Sequence, residues 1–185
     1  MSTELATLTG TYRIDPAHSR IGFSVRHAMV TKVHGTFDDY EGRGFFDPEY
    51  PSKSSLTLTI KAKSIDTRNA DRDAHLRGSD FFDMDTYPLI TFTSTSVERF
   101  HDELYRVTGD LIIKGVARGI VMDLTYTGAA IDPYQNHRIG FEGTTTVDRG
   151  DWGLTFNAAL EAGGVLVSDN VTLEFDVSAI RMPKP

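Results

Sequence analysis

The chain has 185 residues, of which 39% are apolar, so it is long enough for one domain with a substantial hydrophobic core. Its net charge of −7 and its lack of any basic run disfavour a nucleic-acid partner and binding to an anionic membrane surface. It contains no cysteine, which excludes disulfides, thiolate metal ligands and thiol catalysis.

The N-terminal residues have neither the basic region nor the apolar stretch of a secretory signal peptide. No segment approaches the roughly 18 consecutive apolar residues of a membrane-spanning helix. We therefore expect a cytoplasmic protein without an integral membrane span, unless a leader was removed and replaced by the present Met1. No domain boundary or internal repeat is visible, so the sequence predicts a single domain over residues 1–185.

Apolar residues recur at every second position in about eight segments, which is the period of a β-strand with one buried face. In chain order, the residues expected to face inward are Ile21, Phe23, Val25 and His27; Val33 and Phe37; Leu56, Leu58, Ile60 and Ala62; Ile90 and Phe92; Tyr105, Val107, Leu111 and Ile113; Ile120, Met122, Leu124 and Tyr126; Ile139, Phe141 and Val147; and Val171, Leu173, Phe175 and Val177. No long helices separate the segments, as a βαβ fold would require. The pattern predicts a mainly β fold, an eight-stranded antiparallel barrel, because closing the sheet hides its apolar face and removes its edges.

Two segments break this alternation. Residues 71–78 begin at Asp71 and end at Gly78, which predicts a two-turn helix. The helix leads into Phe81 and Phe82, whose side chains need cover, so we expect it near one end of the barrel. The second irregular segment, residues 148–164, contains the only tryptophan, Trp152.

Several sequence blocks, in order along nearly the whole chain, resemble a known family. They are YRIDPAHS (12–19), FSVRH (23–27), GTF (35–37), RDAHL (72–76), DFFD (80–83), YPLITF (87–92), GDLIIKGV (109–116) and DRGDWGL (148–154). The chain resembles the YceI-like family, the lipocalin-like polyisoprenoid-binding proteins of bacteria. The resemblance implies an eight-stranded, lipocalin-like barrel with an elongated apolar pocket for an isoprenoid chain.

The chain departs from this family in two respects. Many relatives are exported, whereas this sequence shows no signal peptide. Trp152 stands where we expect a smaller aromatic residue, which would reshape that end of the pocket.

Ten of the inward-facing residues are our candidates for the lining of a ligand cavity. From periodicity alone they would more often fill a packed core, because an eight-stranded barrel is just wide enough for either arrangement. The family resemblance favours a pocket. The ten residues are Phe23, Val25, Leu58, Ile60, Phe92, Ile113, Leu124, Phe141, Leu173 and Phe175.

A second set of residues forms a candidate cavity mouth, where a lipid headgroup would lie. Arg72 and His75 are three residues apart on the predicted helix and so share roughly one face. Arg72, Arg77 or Arg149 would offer a cation to a pyrophosphate or a quinone oxygen. The alternative is a structural helix whose Arg and His hydrogen-bond to loops. The mouth candidates are His27, Arg72, His75, Arg149 and Trp152.

No catalytic or metal-binding motif stands out. The six histidines lack zinc-ligand spacing, and the sequence supplies no nucleophile for the polar residues of the predicted helix. We therefore expect no cofactor and no metal site, although a site assembled from distant strands stays open.

The sequence predicts non-enzymatic binding or carriage of a polyisoprenoid lipid, either a polyprenyl phosphate or a prenylated quinone. One alternative is a small isomerase or hydrolase that acts on an apolar substrate at the barrel mouth. Another is a stress-linked interaction protein whose barrel is fully packed. A homodimer is also left open.

Overall fold

One antiparallel sheet of eleven strand segments makes up most of the computed structural model, which describes residues 3–184. No helix within these residues is long and apolar enough to cross a membrane. The helices are α1 (Thr3–Ala6) and α2 (Ala70–Arg77). The strands are β1 (Gly10–Ile14), β2 (Arg20–His27), β3 (Thr31–Phe37), β4 (Tyr40–Phe46), β5 (Ser55–Lys61), β6 (Ile65–Asp66), β7 (Leu89–His101), β8 (Leu104–Ile113), β9 (Val116–Ile131), β10 (His137–Asp148) and β11 (Val167–Arg181).

The eleven segments correspond to eight barrel strands, because three barrel strands are each interrupted once. A 3₁₀ turn separates β1 from β2, two residues separate β3 from β4, and another 3₁₀ turn separates β5 from β6. The first part of β11 pairs with β2 and its last part with β1, and this pairing closes the ring. The predicted eight-stranded antiparallel barrel is therefore confirmed.

The sequence pattern missed β4, and two glycines explain why. Gly42 and Gly44 occupy the inward-facing positions between Tyr40 and Phe46. A Cβ atom at Gly42 would lie 2.4 Å from Cδ1 of Ile14, and one at Gly44 would lie 2.7 Å from the carbonyl oxygen of Ser55. Neighbouring strands already occupy the space beside these glycines, so β4 carries no alternation of large apolar residues.

Helix α2 lies between β6 and β7, close to the predicted position. Its N-cap is Asn69, whose side chain accepts a hydrogen bond from the Arg72 amide at 2.9 Å. The segment after α2 brings Phe81 and Phe82 against the barrel interior, as their need for cover suggested. We call this end, which also carries the β2–β3 and β8–β9 turns, the helix end.

Aromatic rings close the opposite end of the barrel. Phe46, Tyr105, Tyr126 and Phe141 contact one another with ring centroids 5.3 to 6.3 Å apart. Most of these contacts are edge-to-face, the arrangement that aromatic quadrupoles favour. We call this end the aromatic end.

A partly buried ion-pair network ties the bend between β1 and β2 to the β9–β10 turn. Arg138 donates to Asp15 at 2.7 Å and to Asp132 at 2.8 Å. The hydrogen bond from Arg138 lowers the pKa of Asp15, and hydrogen bonds from Asn136 and Arg138 lower the pKa of Asp132. Each lowered pKa contributes stability that is present above the unfolded-state pKa near 3.9 and is lost as pH falls through the folded-state value.

We expect the substitution Arg138→Met to lower the urea midpoint of unfolding clearly near pH 7 and less near pH 3. At the lower pH the Asp15 and Asp132 side chains of the unfolded chain are mostly protonated, so part of the stability that their lowered native-state pKa values contribute is lost. Lys61→Met is the control, because Lys61 and Asp39 form an exposed pair at 3.0 Å that should contribute little. An equal loss at both pH values for Arg138→Met would mean that the network does not stabilise the fold through its charges.

Candidate functional site

The barrel encloses an apolar cavity of about 280 Å³. All eight barrel strands contribute lining side chains, and the segment that follows α2 adds Phe81 and Phe82. Arg149 is the one charged side chain in the lining that the described residues provide. Such a surface offers almost no hydrogen bonds, so it suits an apolar molecule.

Inward-facing side chains on opposite sides of the barrel differ in burial. Leu58, Ile60 and Phe92, on β5 and β7, are buried at 9% exposure or less. Leu173 and Phe175 on β11 also line the cavity, yet they are only partly buried. A packed core would bury both sides alike. The partly buried inward-facing side chains lie mainly on β2, β10 and β11, so we infer that the open volume borders these strands.

All ten residues that we predicted for the lining lie in it. Three are buried, and the other seven are partly exposed, namely Phe23, Val25, Ile113, Leu124, Phe141, Leu173 and Phe175. Their contact with a ligand stays a prediction. Leu76, Leu154 and Phe46 also line the cavity but were not predicted, because they lie on a helix, a loop and the glycine-rich β4, where no alternation of apolar residues marks them.

Trp152 lies in the lining and is 2% exposed. Its indole nitrogen donates to the carbonyl oxygen of Leu111 at 2.9 Å. The residue ends a 3₁₀ turn, Arg149–Trp152, and Gly153 follows with a φ of 76°, a left-handed conformation that suits glycine. The turn places the indole against β8, so Trp152 forms part of the cavity wall.

Arg149 lines the cavity, but its guanidinium binds the chain itself. It donates to four backbone carbonyl oxygens at 2.5 to 3.4 Å, and it lies 3.6 Å from the Asp169 carboxylate. The four carbonyls belong to Leu154, Phe156, Val167 and Ser168. Burying this cation is costly without such partners. Arg149 therefore holds the 154–168 segment over the cavity, which leaves little donor capacity for the headgroup role that we expected.

The other mouth candidates lie outside the lining. Arg72 donates to the hydroxyl and carbonyl oxygens of Thr67 at 2.7 and 2.6 Å, which matches the structural alternative for this helix. His75 bonds Asp80 at 2.8 Å, and its ring packs on Phe81 and Phe156 with centroid distances of 5.1 and 4.8 Å.

The expected inward position of His27 requires correction, because its side chain is exposed. His27 is the last residue of β2, where the strand has passed beyond the rim of the barrel. Arg72 and His75 thus have partners within the fold, and a headgroup role for the mouth candidates stays a prediction.

The arrangement offers little for catalysis. Among residues 3–184, no group of three or more His, Asp or Glu residues is placed to hold a metal ion. The two histidine–carboxylate pairs at 2.8 Å, His18 with Asp15 and His75 with Asp80, lie at the surface rather than in the cavity. What the site can do is surround an apolar chain.

Comparison with known proteins identifies relatives of the whole barrel. A family model described as the YceI-like domain matches residues 12–179. A UPF0312 protein of Photorhabdus laumondii is 37% identical over 149 residues, which are 80% of this chain and 77% of that protein.

Two solved structures share the architecture. BcnA of Burkholderia cenocepacia superposes with a TM-score of 0.79 at 25% identity, covering 89% of this chain and 98% of that one. A polyisoprenoid binding domain from Saccharophagus degradans superposes with a TM-score of 0.69 at 18% identity, covering 92% of this chain and 98% of that domain, and this likeness shows the fold alone. On the family match and the sequence identity together, this chain belongs to the YceI-like family.

Proposed function

We propose that this protein binds the prenyl chain of a polyisoprenoid lipid, a polyprenyl phosphate or a prenylated quinone, and carries it without chemical change. The observation that carries the proposal is the unequal burial of the inward-facing side chains, which indicates apolar space along β2, β10 and β11. The shared fold of the Saccharophagus degradans domain, described as polyisoprenoid binding, supports it.

Apolar burial alone provides the affinity in this proposal. Each methylene taken from water contributes about 0.8 kcal/mol, so a long branched hydrocarbon gains much more than its ordering costs. The four packed rings obstruct the aromatic end, so in this proposal the chain enters from the helix end. The headgroup then stays near that end. Arg149 does not bind it, because its guanidinium already donates to backbone carbonyls.

The two alternatives from the sequence fit the geometry less well. A packed barrel that acts only as an interaction protein needs a filled interior, and the cavity of about 280 Å³ argues against one. An isomerase or hydrolase needs a reacting polar group that reaches the substrate, and the cavity lining that the structure describes is almost wholly apolar. No specific observation favours either alternative.

We predict opposite outcomes for the same substitution on the two sides of the cavity. Leu173→Trp places an indole in open space, so the melting temperature should be nearly unchanged while the affinity for a fluorescent prenyl alcohol falls at least tenfold. Leu58→Trp overpacks the buried side and should cost about 1–3 kcal/mol of stability. Thermal melting and probe titration measure both effects. If both variants melt equally early and the native chain binds no prenyl alcohol, the interior is full and the proposal fails.

We also predict that Arg72 and His75 act through the fold rather than on a headgroup. The double substitution Arg72→Ala/His75→Ala removes the bonds to Thr67 and Asp80 and should cost about 1–3 kcal/mol of stability. Any loss of affinity should be equal for a prenyl phosphate and for the prenyl alcohol of the same length, measured by competition with the probe. A loss confined to the phosphate would instead assign these residues to headgroup binding.

A further inference from the structure

The β2–β3 turn exposes apolar side chains that the turn itself does not require. Met29 is 58% exposed and Val30 is 73% exposed. Ala28 and Met29 adopt φ angles of 50° and 63°, the left-handed conformation for which hairpins usually use Asn and Gly. A residue pair such as Asn-Gly would make the same turn with less strain and less exposed apolar surface. The turn chemistry therefore does not explain these side chains.

The turn stands directly beyond the rim of the cavity. Val25 and Val167 both line the cavity, and Val167 pairs with His27, the last residue of β2. The Ala28 amide donates to the carbonyl oxygen of Leu166 at 2.8 Å, which fixes the turn against the 154–168 segment. A ligand that leaves the cavity at the helix end thus passes close to this turn.

The charge around the turn is opposite to that of the whole chain. Arg26 and Lys32 are direct cross-strand partners, and both are exposed. Like charges in this position repel each other, so the pair itself does not stabilise the hairpin. The Arg26 guanidinium also donates to the Val30 carbonyl oxygen at 3.3 Å, which keeps this cation at the turn. The Asp169 carboxylate lies in the β11 bulge between the partners of Val25 and His27, and it is 3.6 Å from the Arg149 guanidinium.

We propose that the hairpin tip, residues 26–32, docks on an anionic lipid bilayer, with Met29 and Val30 among the headgroups and Arg26 and Lys32 against their charges. Apolar side chains flanked by cations are the chemistry of interfacial anchors. Docking turns the cavity entrance toward the membrane from which a prenyl chain would be withdrawn. The inference rests on the proposed function to explain why the protein would dock. Its test measures vesicle binding and does not require a lipid in the cavity.

The test is co-flotation of the full chain with vesicles of phosphatidylcholine alone or of phosphatidylcholine and phosphatidylglycerol in equal parts. The native chain should bind the anionic vesicles and bind the neutral vesicles much less. Met29→Asn/Val30→Ser should weaken that binding at least tenfold, because it removes the apolar anchor. Lys32→Gln should weaken binding to the anionic vesicles about fivefold, because it removes one basic residue that is attracted to the anionic surface.

The matched control is Ile131→Ser/Tyr134→Ser, which removes an equally exposed apolar pair near the opposite end, 59% and 85% exposed. This variant should bind the vesicles like the native chain. Docking is overturned if the native chain does not float with anionic vesicles, or if the tip variant and the control lose binding equally. It is also overturned if the tip variant only abolishes a dimer of the native chain.

Binding of a prenyl alcohol in detergent micelles separates this inference from the proposed function. The tip variant should keep its affinity for the micellar probe and lose only its rate of extraction from anionic vesicles. Native binding of the probe without vesicle binding would leave the carrier function standing and remove the docking. Vesicle binding without probe binding would leave the docking standing and remove the carrier function.

Discussion

The pairing of β11 with both β1 and β2 closes the sheet, and the rest of the molecule depends on this closure. An open sheet of this width would have to hide its apolar face under helices, and this chain has only one helix of two turns between its strands. Closure turns that face inward instead. The long β11 closes the sheet because β1 and β2 are consecutive segments of one bent strand, joined at Asp15 and Pro16, and both pair with β11. The Arg138 network holds this bend.

A closed ring of eight strands brings two sets of side chains to face each other across its interior. Phe92 and Leu58 fill their side, and glycines such as Gly109 let the ring of Phe92 lie close to the backbone. On the other side the lining includes smaller apolar side chains, namely those of Val147, Val171, Val177 and Ala179. The cavity follows from this imbalance of volume, without any residue dedicated to making it.

The rim of the cavity depends on one buried cation. Arg149 binds the carbonyl oxygens of Leu154 and Phe156 in the loop before β11 and those of Val167 and Ser168 at the start of β11, so it ties the loop to the strand. The same loop receives the Ala28 amide from the hairpin tip. The entrance, the loop over it and the basic tip are thus one connected structure. This connection gives the proposed docking and the proposed lipid binding a common geometry, although each is tested by its own measurement.

The period-2 pattern by itself determined the barrel strands and the inward direction of the ten lining residues. This is a local property, because successive side chains of a strand point to opposite faces whatever the strand pairs with. The pattern failed at β4, because Gly42 and Gly44 stand there in place of large apolar residues. The atoms that a side chain at either position would meet belong to β1 and β5, which pair with β4 only in the folded chain. The resemblance to a family, rather than the pattern, indicated a pocket.

Only the tertiary structure decided whether the interior is filled and what the polar residues do. Filling depends on the summed volumes of side chains from all eight strands, which no single segment reveals. The bonds of Arg149 reach Ser168, and those of His75 reach a surface carboxylate rather than the cavity. Spacing along the chain gives a polar side chain its position but not its partners, because a hydrogen bond is made with whichever donor or acceptor the fold brings within about 3 Å.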